Sequence, residues 1–169
     1  MGRGREIRPR GGGGAGYRSR GRRAHRRRSQ GLRLKVAVDT NVLVSAVIAD
    51  GPPRRVLESI SEGVADLVLP ERVLVETRRV LVERIGMPGG EVAELERLLA
   101  ELAPEPVRAP ADPHPLSGDP ADDEILASAL KAGAEILVSG DKKHLLPIGE
   151  HRGMRIMRPQ DFLADLLSS

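Results

Sequence analysis

Short apolar runs of strand-like composition alternate along this chain with longer segments of helical periodicity. The predicted strands cover residues 32–38, 65–69, 135–138 and 154–157, with a further short strand around Val107. The predicted helices cover residues 41–48, 54–61, 71–85, 91–102, 120–132, 142–146 and 159–167. Such alternation predicts a three-layer α/β/α fold, in which helices cover both faces of a central, mostly parallel sheet.

Charge is divided unevenly between the first 31 residues and the rest of the chain. Residues 1–31 hold eleven Arg, one Glu and nine of the 19 Gly, and they carry a net charge of +10. The whole chain carries +3, so residues 32–169 carry −7. We predict a disordered Arg/Gly-rich tail followed by one domain over residues 32–169. The tail fits two interpretations, an arm that follows a phosphate backbone or an over-extended start of translation.

Composition excludes several kinds of protein and site. The chain has no Cys, which excludes disulfides and thiolate metal sites, so any metal must be held by oxygen or His ligands. It has no apolar run of ~20 residues, which argues against a membrane-spanning helix. Asp39, Thr40 and Asn41 interrupt the apolar residues that could imitate a secretory signal, so we predict a cytoplasmic protein.

Acidic residues stand at positions that the predicted topology brings to one edge of the sheet. Asp39 ends the first strand, and Asp141 follows the strand over residues 135–138. Asp119 and Asp122 open the helix before that strand, and a strand around Val107 would bring the start of this helix to the same edge. In parallel sheets the chemistry lies beyond the carboxyl ends of the strands.

Glu76 is the fourth predicted member of this group. It lies three residues after Val73 and four before Val80, on or beside the apolar stripe of its helix. A carboxylate in that position needs a partner, because burying an isolated charge is costly.

Four converging carboxylates repel one another unless a cation lies between them. Hard oxygen ligands favour Mg²⁺, with Mn²⁺ as a substitute. Such a site suits hydrolysis at phosphorus, in which the metal activates a water and holds phosphate oxygens. We therefore predict Asp39, Glu76, Asp122 and Asp141 as catalytic, metal-binding residues.

Simpler structural roles compete with some of these assignments. Asp119 precedes Pro120 and is predicted to cap the helix, which gives it a supporting role beside the metal ligands. Asp141 fits a cap and a ligand equally well, and Asp123 is a weaker candidate that points elsewhere. Asn41 and Ser139 are predicted to hydrogen-bond the acidic ligands.

Basic residues near the predicted edge are candidates for contacts with phosphate groups. Lys142, Lys143 and Arg54 are weak candidates of this kind. The four His are scattered and are predicted to be surface residues, with His144 kept as a weak substrate contact because it lies near Asp141.

The run VAVDTNVL over residues 36–43 resembles the opening of PIN (PilT N-terminus) domains. The rest of that family's pattern follows in order, with Glu76 in a helix, Asp119-Pro120-Ala121-Asp122 before an Ala-rich helix, and ILVSGD over residues 136–141. The resemblance covers residues 33–165 and implies a Mg²⁺-dependent endoribonuclease acting on single-stranded RNA, often the toxin of a toxin–antitoxin pair. It assigns metal binding to Asp39, Asp122 and Asp141, and to Glu76 directly or through water. It also implies a homodimer and a separate antitoxin protein.

Two other classes of function stay open at this point. One is a phosphohydrolase with an aspartyl nucleophile at Asp39, although such enzymes carry a second Asp where this chain has Asn41. The other is a non-catalytic RNA-binding module that relies on the Arg-rich tail. The chain has one Phe, one Tyr and no Trp, so its single-strand binding cannot depend on extensive base stacking.

Overall fold

A computed structural model of the chain describes residues 33–168. The described strands are β1 (Lys35–Val38), β2 (Asp66–Val68), β3 (Ile136–Val138), β4 (Glu150–His151) and β5 (Met154–Met157). The described α-helices are α1 (Thr40–Ile48), α2 (Pro52–Ser61), α3 (Glu71–Arg79), α4 (Gly89–Leu102), α5 (Pro120–Lys131) and α6 (Pro159–Ser168). The predicted tail, residues 1–31, lies outside the described residues.

The strands form one sheet in the order β2-β1-β3-β5-β4. β1 pairs in parallel with β2 and β3, β3 pairs in parallel with β5, and β4 is antiparallel to β5 at the edge. Together with the six helices, this confirms the predicted three-layer α/β/α fold with a mostly parallel sheet.

The order of the strands creates a crevice beside β1. After β1 the chain passes to one side of it to form β2, and it later returns to the other side to form β3. The connections that follow β1 and β3 therefore run in opposite directions. Open α/β sheets form their binding sites at the crevice between two such strands.

The two central strands are apolar on both faces, as strands between two helical layers should be. Val36, Ala37 and Val38 of β1 are completely buried, as are Leu137 and Val138 of β3. Phe162 of α6 is also completely buried. Among residues 33–168, every helix is too short or too polar to span a bilayer.

Local side chains determine where the helices that carry the site begin. Asp39 caps α1 by accepting a hydrogen bond from the amide of Val42, and Asp119 caps α5 by accepting one from the amide of Ala121. Pro120 follows at the first position of α5, where a missing N–H costs nothing. The predicted cap at Asp119 is therefore confirmed.

Several predicted boundaries were wrong at the ends of elements. The helix predicted over residues 71–85 is α-helical only to Arg79 and widens into a π-helix over Val80–Ile85. Gly86 then adopts a left-handed φ of 70°, and the amide of Met87 reaches back to the carbonyl of Leu81.

Three short elements also differ from the prediction. The helix predicted over residues 142–146 is a turn followed by a 3₁₀ turn at Leu146–Ile148. Val107 forms a single parallel bridge to Pro70 and not a strand. β4 was not predicted, because a two-residue edge strand has no recognisable periodicity.

Candidate metal centre

The register of β1 and β3 determines where the acidic side chains emerge. Val38 lies opposite Val138 in the parallel ladder, so both strands end at the same edge of the sheet. The amide of Asp39 continues the ladder by donating to the carbonyl of Val138 over 3.1 Å. The residues that follow β1 and β3 therefore meet across the crevice.

Asp39 is almost completely buried, with 3 % of its surface exposed, and both of its carboxylate oxygens accept hydrogen bonds. Oδ1 accepts from the amide of Val42 over 2.7 Å, while Oδ2 accepts from Ser139 Oγ over 2.5 Å and from the amide of Gly140 over 3.3 Å. Burial raises the pKa of Asp39, and these three donors oppose that increase. The predicted contact between Ser139 and an acidic residue is thus present.

Asp141 uses its two oxygens for different purposes. Oδ1 accepts hydrogen bonds from the amides of Lys143 and His144 over 2.7 and 3.1 Å, which caps the turn after β3. Oδ2 lies 3.2 Å from Nδ1 of His144. Burial alone would raise the pKa of Asp141, but the two amides and the nearby imidazole hold this pKa below its ordinary value. Asp141 therefore caps the turn and still offers one oxygen to a ligand.

Asp122 is the least stabilised carboxylate of the group. Its side chain is 18 % exposed, and its Oδ2 lies 3.4 Å from Nδ1 of His144. Burial, followed by the negative charges of Asp119 and Asp141, raises the pKa of Asp122 to about 6. The fold thus concentrates more negative charge at this point than its own groups neutralise.

His144 lies inside this group. It was predicted to be a surface residue with a weak substrate contact, and its position corrects that prediction. Its side chain is 26 % exposed, and its Nδ1 faces Asp122 and Asp141 together. Ligand atoms of Asp119, Asp122 and His144 all lie within 4.8 Å of one another. The spacing of His144 three residues after Asp141, across a capped turn, was the available signal.

A family model described as PIN domain matches residues 35–143 of the chain. The chain belongs to the PIN domain family. PIN domains are generally nucleases, which are hydrolases, and they typically use a divalent metal. No curated protein sequence gives a significant match.

Glu76 lies on α3, at the edge of the acidic group in this PIN domain. Its Oε2 accepts a hydrogen bond from Thr40 Oγ1 over 3.3 Å, and its Oε1 lies 3.5 Å from a guanidinium nitrogen of Arg79. The guanidinium of Arg72 approaches to 4.0 Å, and the Glu76 side chain is 27 % exposed. Glu76 is linked to Asp39 through the neighbouring Thr40, and its own contacts are with Thr40 and the two arginines.

Other predicted residues take different positions. Asn41 is exposed and forms no hydrogen bond with the acids among residues 33–168, so its predicted supporting contact was wrong. Arg54 donates hydrogen bonds to the carbonyls of Ala46 and Val47 at the end of α1 and to the carboxylate of Asp50. Little of its guanidinium is therefore left for a phosphate. Thr40, the first residue of α1, contacts Glu76, whereas Asn41 is exposed.

Lys142 and Lys143 are both exposed on the turn after Asp141, as a contact with phosphate requires. Neither lysine side chain is tied to a carboxylate among residues 33–168. They therefore stay candidates for substrate binding.

Asp123 points away from the acidic group, as predicted. Its Oδ1 accepts hydrogen bonds from the amides of Leu116 and Ser117 over 3.0 and 2.7 Å. A cleft of about 650 Å³ on that side of α5 is lined by Asp123, Leu126 and His151, among others, and by none of the four predicted catalytic acids. Adjacent residues of α5 therefore serve different surfaces.

The donor set fits a divalent cation. Asp119, Asp122 and Asp141 supply oxygen atoms, and His144 supplies one nitrogen. Burial and, after it, the negative charges of Asp119 and Asp141 raise the pKa of Asp122, and a bound cation would favour its ionised form. The oxygens of Asp39 already accept hydrogen bonds from Ser139, Gly140 and Val42, so Asp39 supports the group by joining the end of β1 to the segment after β3.

Proposed function

We propose that this PIN domain is a divalent-metal-dependent endoribonuclease that hydrolyses phosphodiester bonds of single-stranded RNA. The observation that carries the proposal is the meeting of Asp122 and Asp141 around His144 at the carboxyl edge of β1 and β3. Mg²⁺ is the proposed cation and Mn²⁺ its substitute, because oxygen atoms form most of the donor set.

In this proposal Asp122 and Asp141 hold the cation, with Asp119 and Asp39 close to them and Glu76 at the rim. When bound, the cation lowers the pKa of a water and neutralises phosphate oxygens. The hydrogen bond between Asp39 and Ser139 joins the segments that follow β1 and β3, which helps to hold the turn that carries Asp141 and His144 in place. Arg72 and Arg79 partly neutralise Glu76 and place positive charge beside the acids.

RNA is proposed to bind through its phosphates. Among residues 33–168, Phe162 is the only Phe, Tyr or Trp, and it is completely buried. This part of the chain therefore has no exposed Phe, Tyr or Trp ring on which a base could stack. Lys142 and Lys143 are exposed beside Asp141 and are the proposed phosphate contacts. Binding through phosphates depends strongly on salt, because each contact releases counterions. Deleting residues 1–31 would measure how much of the affinity the Arg-rich tail provides.

The decisive experiment uses two neighbouring acids as a matched pair. The full chain is incubated with a labelled single-stranded RNA and Mg²⁺ or Mn²⁺, beside Asp122→Asn, Asp123→Asn and an EDTA control. We expect cleavage by the natural chain and by Asp123→Asn, and loss of cleavage in Asp122→Asn and in EDTA. Cleavage that survives Asp122→Asn would overturn the proposed site.

The alternative of a covalent phospho-aspartate finds less support. A nucleophilic Asp39 would need an oxygen free to attack, and both of its oxygens accept hydrogen bonds within a buried environment. Asn41, at the position of the second aspartate in such enzymes, is exposed. Trapping with beryllium fluoride would give a stable adduct only under that alternative.

The biological role is proposed from the family resemblance. A toxin would arrest growth when expressed, and Asp122→Asn would relieve the arrest. A cytoplasmic homodimer and a separately encoded antitoxin are proposed on the same basis. Light scattering tests the dimer, and recovery of growth when a neighbouring gene is expressed together with this chain tests the antitoxin.

A further inference from the structure

The turn that follows β3 holds His144 in one place by backbone contacts. Asp141 Oδ1 accepts the amide hydrogens of Lys143 and His144, and the carbonyl of Asp141 accepts from the amide of Leu146. Leu145, the next residue, is completely buried and anchors the turn in the core. The fold therefore holds the backbone of His144, and the partly exposed imidazole lies against Asp122 and Asp141.

The imidazole nitrogen lies at distances that suit a shared cation. Nδ1 is 3.2 Å from Oδ2 of Asp141 and 3.4 Å from Oδ2 of Asp122. Ligands at about 2.0–2.2 Å from one ion, and at right angles to each other, are about 3 Å apart. Small shifts would thus place these three atoms around a single ion.

The chemical nature of the donor matters as well as its place. Carboxylate and water oxygens suit Mg²⁺ and Mn²⁺, whereas an imidazole nitrogen suits later transition metals such as Ni²⁺ and Zn²⁺. Co²⁺ lies between Mn²⁺ and Ni²⁺ in the order of affinity, so it gains more from a nitrogen ligand than Mg²⁺ does. A histidine that only donated hydrogen bonds to Asp122 and Asp141 would support every divalent cation to a similar degree. A histidine that binds the ion directly would discriminate between them.

We propose that His144 is a nitrogen ligand at this centre and raises its affinity for Co²⁺ relative to Mg²⁺. The inference rests on the proposed function, because it concerns the same metal centre. It names His144 as the residue that determines the specificity of that centre for metals.

Calorimetric titration of the full chain with Mg²⁺, Mn²⁺ and Co²⁺ tests the proposal without any measurement of activity. The compared proteins are the natural chain, His144→Gln, which retains a hydrogen-bond donor, and His151→Gln, a matched control on β4. We expect His144→Gln to weaken Co²⁺ binding by at least about tenfold, the loss that even an outer partner of a ligand causes. Its Mg²⁺ affinity should change by less than about threefold, since oxygen ligands dominate the binding of that ion. His151→Gln should leave all three affinities unchanged.

A spectroscopic measurement identifies the ligand directly. Pulsed electron paramagnetic resonance of bound Mn²⁺ should show coupling to an imidazole nitrogen in the natural chain and in His151→Gln, and no such coupling in His144→Gln. Equal weakening of Mg²⁺ and Co²⁺ by His144→Gln, or a nitrogen coupling that survives it, would overturn the role of His144. Absence of any divalent-metal binding by the natural chain would instead overturn the proposed function.

Discussion

Asp122 on α5 and Asp141 after β3 face the same nitrogen atom, Nδ1 of His144, at 3.4 and 3.2 Å, and the pKa values of the two carboxyl groups move in opposite directions. Burial and the neighbouring negative charges raise the pKa of Asp122 to about 6. Burial alone would also raise the pKa of Asp141, but backbone donors and His144 hold it below its ordinary value. At neutral pH both carboxyl groups are largely ionised, and a bound cation would offset their charge.

Metal affinity should depend on pH because a proton competes for Asp122. A ligand with a pKa of about 6 must lose its proton before it binds a metal. We expect Mn²⁺ affinity to be roughly constant above about pH 7 and about tenfold weaker at about pH 5. Calorimetry across this range measures the effect. An affinity that is flat from about pH 5 to 7 would contradict the raised pKa.

Without metal, Asp122→Asn should stabilise the fold at neutral pH. A carboxyl whose folded pKa lies above its unfolded value contributes stability only when protonated, and that contribution is lost as pH rises through about 6. The neutral amide avoids this loss. In EDTA, the thermal midpoint of Asp122→Asn should exceed that of the natural chain at about pH 7.5, and the difference should narrow towards about pH 4. A lower midpoint at every pH would show that the Asp122 charge is not a cost.

Asp123→Ala should have the opposite effect on stability and little effect on metal binding. Asp123 is buried and accepts hydrogen bonds from the amides of Leu116 and Ser117, and losing these costs about 1–3 kcal/mol. Chemical denaturation measures the loss, and hydrogen exchange should speed up at the two amides. Slow exchange in the variant would mean that other contacts hold this loop.

Ser139→Ala should raise the pKa of Asp39 and destabilise the protein. The Ser139 hydroxyl is the strongest of the three donors that oppose the effect of burial on Asp39, so its removal leaves a buried carboxylate less well solvated. We expect a loss of about 1–3 kcal/mol at neutral pH. The loss should diminish as pH falls through the folded pKa of Asp39, since protonation removes the charge.

Carboxyl-carbon NMR across a pH titration of metal-free protein measures the pKa of Asp39 in these variants. Ser139→Thr retains the hydroxyl and should titrate like the natural chain. Ser128→Ala removes another buried hydroxyl, whose partner is the carbonyl of Glu124, and should leave Asp39 unchanged. An unaltered Asp39 titration in Ser139→Ala would show that the Ser139 hydroxyl does not lower the pKa of Asp39.

The strands and the acids that follow them could be predicted because both depend on local patterns. Fully apolar runs rich in β-branched residues, such as residues 36–38, are typical of a strand that is buried on both faces. Parallel pairing then places Asp39 and Asp141 at one edge without any knowledge of tertiary contacts. Asp119 could likewise be identified as a cap from the proline that follows it.

The residues that were misplaced depend on details that periodicity does not encode. Asn41 is exposed between the buried residues Thr40 and Val42 of α1, because successive side chains of a helix are rotated by about 100°. His144 enters the acidic group through a capped turn that the sequence suggested would be a helix. Arg54 was a weak candidate for phosphate contact, but it donates hydrogen bonds to carbonyls at the end of α1.

The return of the chain to the far side of β1 has a consequence for synthesis on the ribosome. Asp39 emerges early, but its hydrogen-bond partner Ser139 and the ligand candidates Asp141 and His144 arrive only after β3 has been made. A nascent chain that ends before residue 136 lacks the strand that pairs beside β1 and carries these groups. The proposed metal centre therefore cannot form, and the proposed RNA-cleaving activity cannot begin, until β3 and the turn after it have been made.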